Sequence, residues 1–215
     1  MKLHLGCGQV YLKGYINIDF PLTKHSVQKS SVADEFKDIT KISYPKNSVD
    51  EIRLHHVFEH FPRAQACGLL VSWRTWLKPK GEIRLEVPDF AKMTQIFANP
   101  FKNPKQKSIA IRHIFGSQEA EWAIHYEGWS QDKFGILLPL LGYTITKFHR
   151  SSYKGTYNIE VIASKNSQSI SKAENHKRVE QYLNNYLIDN SSTEKIMLQS
   201  WMEAYSLQTK NSYAK

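Results

Sequence analysis

The chain has 215 residues, of which 41% are hydrophobic and 12% aromatic; this composition predicts one folded domain with a sizeable core and excludes a wholly disordered chain. The formal net charge of +9 would suit an anionic partner such as nucleic acid, but the lysines are scattered without a long basic run, which favours a diffusely charged surface. The two cysteines, Cys7 and Cys67, do not support a disulfide framework. No apolar run approaches the roughly 20 residues that span a bilayer, and the sequence shows no signal-peptide pattern. We therefore expect a cytoplasmic protein.

Residues 2–20 combine a short apolar strand, a glycine turn and a second strand that ends in a carboxylate. The first apolar run ends at Leu5, the turn is GCG at residues 6–8, and the second run ends at Asp19. Glycines allow a ligand to approach the backbone, and a carboxylate accepts hydrogen bonds from ribose hydroxyls. This stretch therefore predicts a binding site for a ribose-bearing ligand.

Beyond this stretch, the hydrophobic pattern alternates between strands and helices. The polar segment 21–37 is compatible with a short helix or a loop. After it we predict strands over 49–54 and 82–87 and helices over 62–78, 90–98 and 108–115, with a loop over 99–107. Ser130 is placed to cap a helix through Leu141, kinked by Pro139, and residues 143–148 and 157–163 predict an antiparallel hairpin. The predicted fold is α/β, a Rossmann-like sheet that is mostly parallel with a C-terminal antiparallel hairpin and has helices on both faces.

The composition changes near residue 165, which divides the chain into a main domain, 1–165, and a helical C-terminal extension, 166–215. Amphipathic helices are predicted over 173–188 and 193–207. Their apolar surface is too small to fold alone. We therefore expect the extension to dock on the main domain or on a second copy, which would make a homodimer.

Four segments together resemble one family. HLGCG (4–8), GYINID (14–19), DEIRLHHVFEHF (50–61) and LKPKGEIRLEVPDF (77–90) are similar to motifs of the class I S-adenosylmethionine-dependent methyltransferases. The closest likeness is to a compact group with short first helices, associated with glycan biosynthesis, and it covers residues 1–163. A dinucleotide-binding oxidoreductase would carry a third glycine after Gly8, which this chain lacks.

The resemblance implies S-adenosyl-L-methionine as the cofactor and assigns residues to it. The loop around its methionine part would be formed by Leu5, Gly6, Cys7 and Gly8, and Asp19 would hold both ribose hydroxyls. Asp38 and Ile39 would contact adenine. His55 would lie near the methyl donor. Two features depart from the family pattern: His4 stands where many members carry an acidic residue, and only ten residues separate Gly8 from Asp19. The short spacing implies a shortened or lost first helix.

Methyl transfer to an alcohol needs a positioned acceptor and a group that takes its proton. His56, at the end of the fourth predicted strand, is the first candidate base, and its alternative role is to orient the cofactor or a loop. Asp89 could be a base, a hydroxyl ligand or the cap of the next helix, with the cap favoured.

The segment HYEGW, residues 125–129, either lines the acceptor pocket through His125 and its neighbours or forms a buried aromatic cluster. The adjacent Glu59 and His60 are interpreted as a structural hydrogen-bonded pair. The spacing of His, Asp and Glu specifies no metal ligands, so we predict no metal.

Three functions follow from these patterns. The favoured one is O-methylation of a sugar hydroxyl in a glycan or a glycan precursor. The second is nucleic-acid methylation, suggested by the basic charge, although the LHHVFEH strand end differs from the Asn/Asp-Pro-Pro-aromatic motif of enzymes that methylate base amines. The third is a non-catalytic module that retains the cofactor fold for assembly.

Overall fold

The computed structural model describes residues 1–21, 30–210 and 212, and it has a seven-stranded sheet with helices packed around it. The strands are β1 Lys2–Leu5, β2 Ile16–Asp19, β3 Glu35–Phe36, β4 Val49–His55, β5 Leu77–Pro88, β6 Tyr143–Tyr153 and β7 Thr156–Lys165. The α-helices are α1 Arg63–Trp76, α2 Phe90–Ala98, α3 Pro104–Phe115, α4 Gln131–Leu140, α5 Lys172–Asn184 and α6 Ser192–Gln208. Part of the polar segment 21–37, residues 22–29, lies outside the described residues.

The strand order is β3-β2-β1-β4-β5-β7-β6, and the pairs among β1 to β5 are parallel. Strand β7 is antiparallel to both β5 and β6, so among the described strands it alone runs against the others. The predicted mostly parallel sheet with a terminal hairpin is confirmed. The turn at Lys154 and Gly155 joins β6 to β7.

The register of the parallel strands brings their carboxyl ends to one edge. Leu5 is paired with Ile18 on one side and with Leu54 on the other, and Leu54 is paired with Leu85. These apolar side chains are all buried. The next residue on each strand, Gly6, Asp19, His55 and Glu86, therefore lies along the same edge of the sheet, where α/β folds bind ligands.

Several predicted element boundaries are wrong: β5 and β6 are longer than predicted, and α5 ends earlier. Local chemistry explains the end of α1 and the start of α3. Helix α1 ends at Trp76 and β5 begins at once with Leu77, which has extended dihedral angles and pairs with Val49. Pro79 also disfavours a helical Lys78. Helix α3 begins at Pro104 because Asn103 and Gln106 form a capping box ahead of the predicted start.

The C-terminal helices pack on the main domain. Helix α6 contacts α1 and α5, and buried side chains of both α5 and α6 belong to the same hydrophobic core as the sheet. These side chains are Val179, Tyr182, Leu183, Met202 and Tyr205. Of the helices in the described ranges, none has the length and apolar character needed to cross a membrane.

Candidate functional site

The glycine turn after β1 is a tight connection without a helix. Residues 6–15 form turns and irregular backbone, which agrees with the short first helix expected from the spacing. Gly6 and Gly8 have φ values of 71° and 56°, a region that favours glycine. The amides of Gly6 and Cys7 donate to the carbonyl oxygen of Ile18 at 2.8 and 3.1 Å, which fastens the turn to β2.

Asp19 is directed at this turn. Its side chain is buried, with 5% of the residue exposed. One carboxylate oxygen, Oδ2, accepts from the Gly8 amide at 2.7 Å, and Oδ1 accepts from the Phe20 amide at 2.8 Å. The structure thus joins the predicted glycine turn and the predicted acidic residue into one unit.

The predicted adenine-contacting pair has two different environments. Asp38 Oδ1 accepts from the Thr40 amide at 2.9 Å, and its Oδ2 lies 3.0 Å from Lys41 Nζ. Burial raises the pKa of Asp38, but hydrogen bonds from Thr40 and Lys41 outweigh burial and hold this pKa below its ordinary value. Ile39 is buried in the hydrophobic core. An adenine contact by these residues stays a prediction.

Gly6 also lies against the segment that follows β4. A Cβ atom on Gly6 would lie 2.3 Å from Cγ2 of Val57. No real contact is this short, so the position requires glycine for its space as well as for its φ angle. The glycine turn and the residues after β4 are therefore packed as one structural unit.

We expect Gly6→Ala to destabilise the protein by roughly 2–5 kcal/mol, the sum of a left-handed backbone and an overpacked contact. Gly155→Ala is the matched control, because its φ is 91° and nothing lies within 4 Å of the added Cβ. Urea unfolding measures both free energies. Adding Val57→Ala to Gly6→Ala should recover part of the loss, whereas equal costs for Gly6→Ala and Gly155→Ala would contradict this account.

The two histidines at the end of β4 have separate partners. His55 is exposed, and its Nε2 lies 2.7 Å from Glu86 Oε1 on the neighbouring strand. His56 has a φ of 55°, and its Nδ1 lies 3.3 Å from Glu59 Oε1. Burial lowers the pKa of His56, but the hydrogen bond to Glu59 and the charges of Glu59 and Glu86 outweigh burial, so this pKa is raised above its ordinary value.

A cleft of about 460 Å³ opens beside His56. Four histidines and a glutamate contribute to its lining, together with Trp122 and the tip of the β6–β7 hairpin. The titratable residues of this group are His56, Glu59, His60, His113 and His125. The fold therefore gathers five groups capable of proton transfer in one cleft, beside the end of β4.

Glu59 lies at the centre of these histidines and is 1% exposed. Its Oε1 is 3.3 Å from His56 Nδ1 and 3.9 Å from His125 Nε2. Burial raises the pKa of Glu59, but the His56 hydrogen bond and the charges of the surrounding histidines lower it below its ordinary value. His60 Nδ1 instead lies 3.0 Å from the carbonyl oxygen of Ile124. The interpretation of Glu59 and His60 as a mutually hydrogen-bonded pair is therefore wrong.

Asp89 has the cap role that the sequence favoured. Its Oδ1 accepts from the Lys92 amide at 3.1 Å at the start of α2, and its Oδ2 lies 3.2 Å from Arg150 Nε. Asp89 and Arg150 line a second cavity of about 480 Å³ with Tyr157. Both oxygens of Asp89 are engaged, so its geometry is that of a helix cap and an ion-pair partner.

The HYEGW segment divides between the two predicted alternatives. Trp129 is 1% exposed and stacks on Phe134 with ring centroids 4.9 Å apart, so it belongs to the buried aromatic cluster. Glu127 is buried and its Oε2 accepts from Arg63 Nε at 2.9 Å. His125 lines the cleft, and its pKa is lowered because burial outweighs the charge of Glu59.

Sequence reasoning missed two residues of this region, Glu86 and His113. Glu86 is paired with His55 in the register of β4 and β5, and the sequence alone does not reveal this register. His113 comes from α3, and its ring centroid lies 6.0 Å from that of His56. The sequence signal for His113 was its helical spacing from Ile109, since residues four apart on a helix share a face and both line the cleft.

Comparisons with known proteins place the fold. No protein-family model matches the sequence, and no curated protein matches it significantly. A chain of the Haloferax volcanii complex that contains the Trm112 methyltransferase activator superposes with a TM-score of 0.56 at 13% identity, covering 79% of this chain and 83% of that one.

Two further solved structures are similar. The 1,6-didemethyltoxoflavin-N1-methyltransferase of Burkholderia thailandensis, with 1,6-didemethyltoxoflavin and S-adenosylhomocysteine bound, has a TM-score of 0.52 at 11% identity, covering 77% of this chain and 71% of its own. A SAM-dependent methyltransferase of Methanosarcina mazei has a TM-score of 0.50 at 13% identity, covering 78% and 92%. The chain therefore has the Rossmann-like fold found in class I methyltransferases.

Proposed function

We propose that this chain is an S-adenosylmethionine-dependent methyltransferase that methylates a hydroxyl group of a sugar in a glycan or a glycan precursor. The observation that supports the cofactor part of this proposal is the unit formed by the glycine turn and Asp19, at the carboxyl ends of β1 and β2. A buried carboxylate that accepts from a glycine amide in a tight turn suits a nucleoside ligand with an amino-acid end.

The cofactor-binding residues in this proposal are those assigned from the sequence. Gly6 and Gly8 have the positive φ angles that form the tight turn, and the side chains of Leu5 and Cys7 are buried beside it. Asp19 would accept from the ribose hydroxyls, while Asp38 and Ile39 would contact the base and His55 would border the methyl donor. Bound S-adenosylmethionine supplies an electrophilic methyl group. The similar fold of an enzyme with S-adenosylhomocysteine bound supports this assignment.

The acceptor would occupy the histidine-lined cleft. Its volume of about 460 Å³ lies within the usual range for small-molecule sites, and Trp122 contributes an aromatic surface suited to a sugar ring. His56 is the proposed base, because it lies at the end of β4 and lines the cleft. His125 is the second candidate. Asp89 ranks third, since its oxygens already cap α2 and pair with Arg150.

Purified full-length protein provides the test. Calorimetry should detect binding of S-adenosylmethionine and S-adenosylhomocysteine, and radiolabelled methyl donor should label one or more members of a panel of sugars, nucleotide sugars and oligosaccharides. Binding without transfer to any sugar would overturn the acceptor class, whereas absence of binding would overturn the methyltransferase proposal itself. Transfer to RNA with a steep salt dependence would select the nucleic-acid alternative.

We also propose that two copies of the chain form a homodimer through the C-terminal helices. Ile188 precedes α6, and Ile196 and Leu207 lie on it; all three are exposed large apolar side chains. A second copy of this surface would cover them. Sedimentation of the wild-type chain and of an Ile196→Glu variant would test the dimer.

The cytoplasmic location remains a prediction of the sequence.

A further inference from the structure

The carboxylate at the bottom of the histidine-lined cleft has an oxygen with no hydrogen-bond partner. Glu59 Oε1 faces His56 and His125, but Oε2 is buried and has no partner among the described residues. Burying a carboxylate oxygen without a hydrogen bond is costly, and such a group calls for an explanation such as an ion.

Two histidines next to Glu59 are held in the orientation that metal-binding histidines adopt. His60 Nδ1 lies 3.0 Å from the carbonyl oxygen of Ile124, and His125 Nδ1 lies 3.0 Å from that of His113. A carbonyl oxygen only accepts, so each Nδ1 carries a proton, and Nε2 is the ring nitrogen that remains to bind an ion. Metal-ligating histidines are oriented by this kind of hydrogen bond on the other ring nitrogen.

One ligand atom from each of Glu59, His60 and His125 lies within 4.8 Å of the other two. Metal–ligand distances of about 2.0–2.2 Å allow two ligand atoms to be separated by at most about 4.4 Å. A small rotation of these side chains would therefore close the three atoms around an ion. The three residues come from a short 3-10 helix after β4 and from the loop after α3, which are held together by the Tyr126 amide donating to the Glu59 carbonyl at 2.9 Å.

We propose that Glu59, His60 and His125 bind a divalent transition-metal ion at the bottom of this cleft. Two imidazoles and one carboxylate suit Zn²⁺, Mn²⁺ or Fe²⁺ better than Mg²⁺ or Ca²⁺, which prefer oxygen ligands throughout. Three protein ligands leave coordination positions open, as in catalytic metal sites. This site departs from the prediction of no metal, which considered only the sequence spacing.

A second group, His55, His56 and Glu86, also brings three potential ligand atoms together, but it is explained without an ion. Glu86 Oε1 already accepts from His55 Nε2 at 2.7 Å and from Asn158 Nδ2 at 3.3 Å. His55 is also exposed. The unpartnered oxygen of Glu59 thus distinguishes the proposed site from its neighbour.

An ion at Glu59 would face the same cleft that is proposed to hold the acceptor. Open coordination positions there would bind a hydroxyl oxygen of the acceptor and favour its loss of a proton. This role rests on the proposed function, whereas metal binding by the three residues does not depend on it.

The test uses the full-length untagged chain after removal of metal with a chelator. Zn²⁺ titrated by calorimetry should bind at one ion per chain, and Co²⁺ should give visible absorption bands from the same site. His60→Ala and His125→Ala should each weaken Zn²⁺ binding at least tenfold. The control variants His55→Ala and His149→Ala should bind Zn²⁺ as the wild type does, since His149 lies exposed on β6.

Thermal unfolding keeps the test decisive if a variant is less stable. Zn²⁺ should raise the melting temperature of the wild-type chain by linkage and should raise that of His60→Asn or Glu59→Gln much less. Failure of Zn²⁺ and Co²⁺ to bind the wild type, or equal binding by wild type, His60→Ala and His125→Ala, would overturn the metal site. Metal binding without methyl-donor binding would leave the site standing and overturn only the proposed function.

Discussion

Asp19→Asn should bind S-adenosylmethionine at least about 100-fold more weakly than the wild-type chain. Hydrogen bonds to a charged acceptor contribute about 1.5–3 kcal/mol each, and two ribose hydroxyls would donate to this carboxylate. Since each 1.4 kcal/mol corresponds to about tenfold in affinity, the loss of the charge alone predicts this magnitude. An asparagine also places an N–H₂ group or a weaker acceptor opposite the Gly8 amide, which Asp19 Oδ2 now accepts from at 2.7 Å.

Calorimetry with both S-adenosylmethionine and S-adenosylhomocysteine makes this prediction specific to the ribose. The two ligands share the ribose and differ at the sulfur, so Asp19→Asn should weaken both by the same factor. Asp132→Asn on the exposed side of α4 is the matched charge control and should leave both affinities within threefold. Thermal unfolding of Asp19→Asn must show a folded chain. A loss confined to S-adenosylmethionine would mean that Asp19 acts on the sulfonium charge and not on the ribose.

The sequence was sufficient to predict the sheet and the closeness of the glycine turn to Asp19, because local patterns determine both. The alternating strands, the missing third glycine after Gly8 and the hairpin at Gly155 are all local signals, and the structure confirms the fold that they indicate. The contact between Gly8 and Asp19 follows in the same way, since a short parallel connection brings a turn and the next strand end together.

The histidine-lined cleft could not be predicted in this way, because it depends on contacts between residues distant in sequence. His125 reaches Glu59 through a loop that follows α3, with 65 residues of the chain between the two. His60 and His125 acquire their orientation from the Ile124 and His113 carbonyl groups, and hydrogen bonds to backbone carbonyls leave no pattern in residue types. The sequence therefore named Glu59 beside His60, and His125 as a separate candidate, without showing that the three lie together.

His56→Asn should lower the rate of methyl transfer about 10²–10⁴-fold and leave the affinity for S-adenosylmethionine within threefold, which is the range expected for losing a general base. Asparagine is suited to this position for two reasons. It tolerates the left-handed backbone at φ 55°, and its amide can still donate to Glu59 Oε1 as His56 Nδ1 now can at 3.3 Å. It cannot accept a proton at neutral pH, so the substitution removes the base and retains the hydrogen bond.

This design separates a base from a residue that only orients its neighbours. If His56 merely holds Glu59 in place, His56→Asn should keep most of the activity while His56→Ala loses it, and the base role would then pass to His125. If His56 is the base, both variants should lose turnover alike. His149→Ala serves as the exposed histidine control on β6. Zn²⁺ binding should survive in His56→Asn, because Glu59, His60 and His125 remain. If His56→Asn lost both turnover and Zn²⁺ binding, the substitution would have disturbed the metal site and not only the proton acceptor.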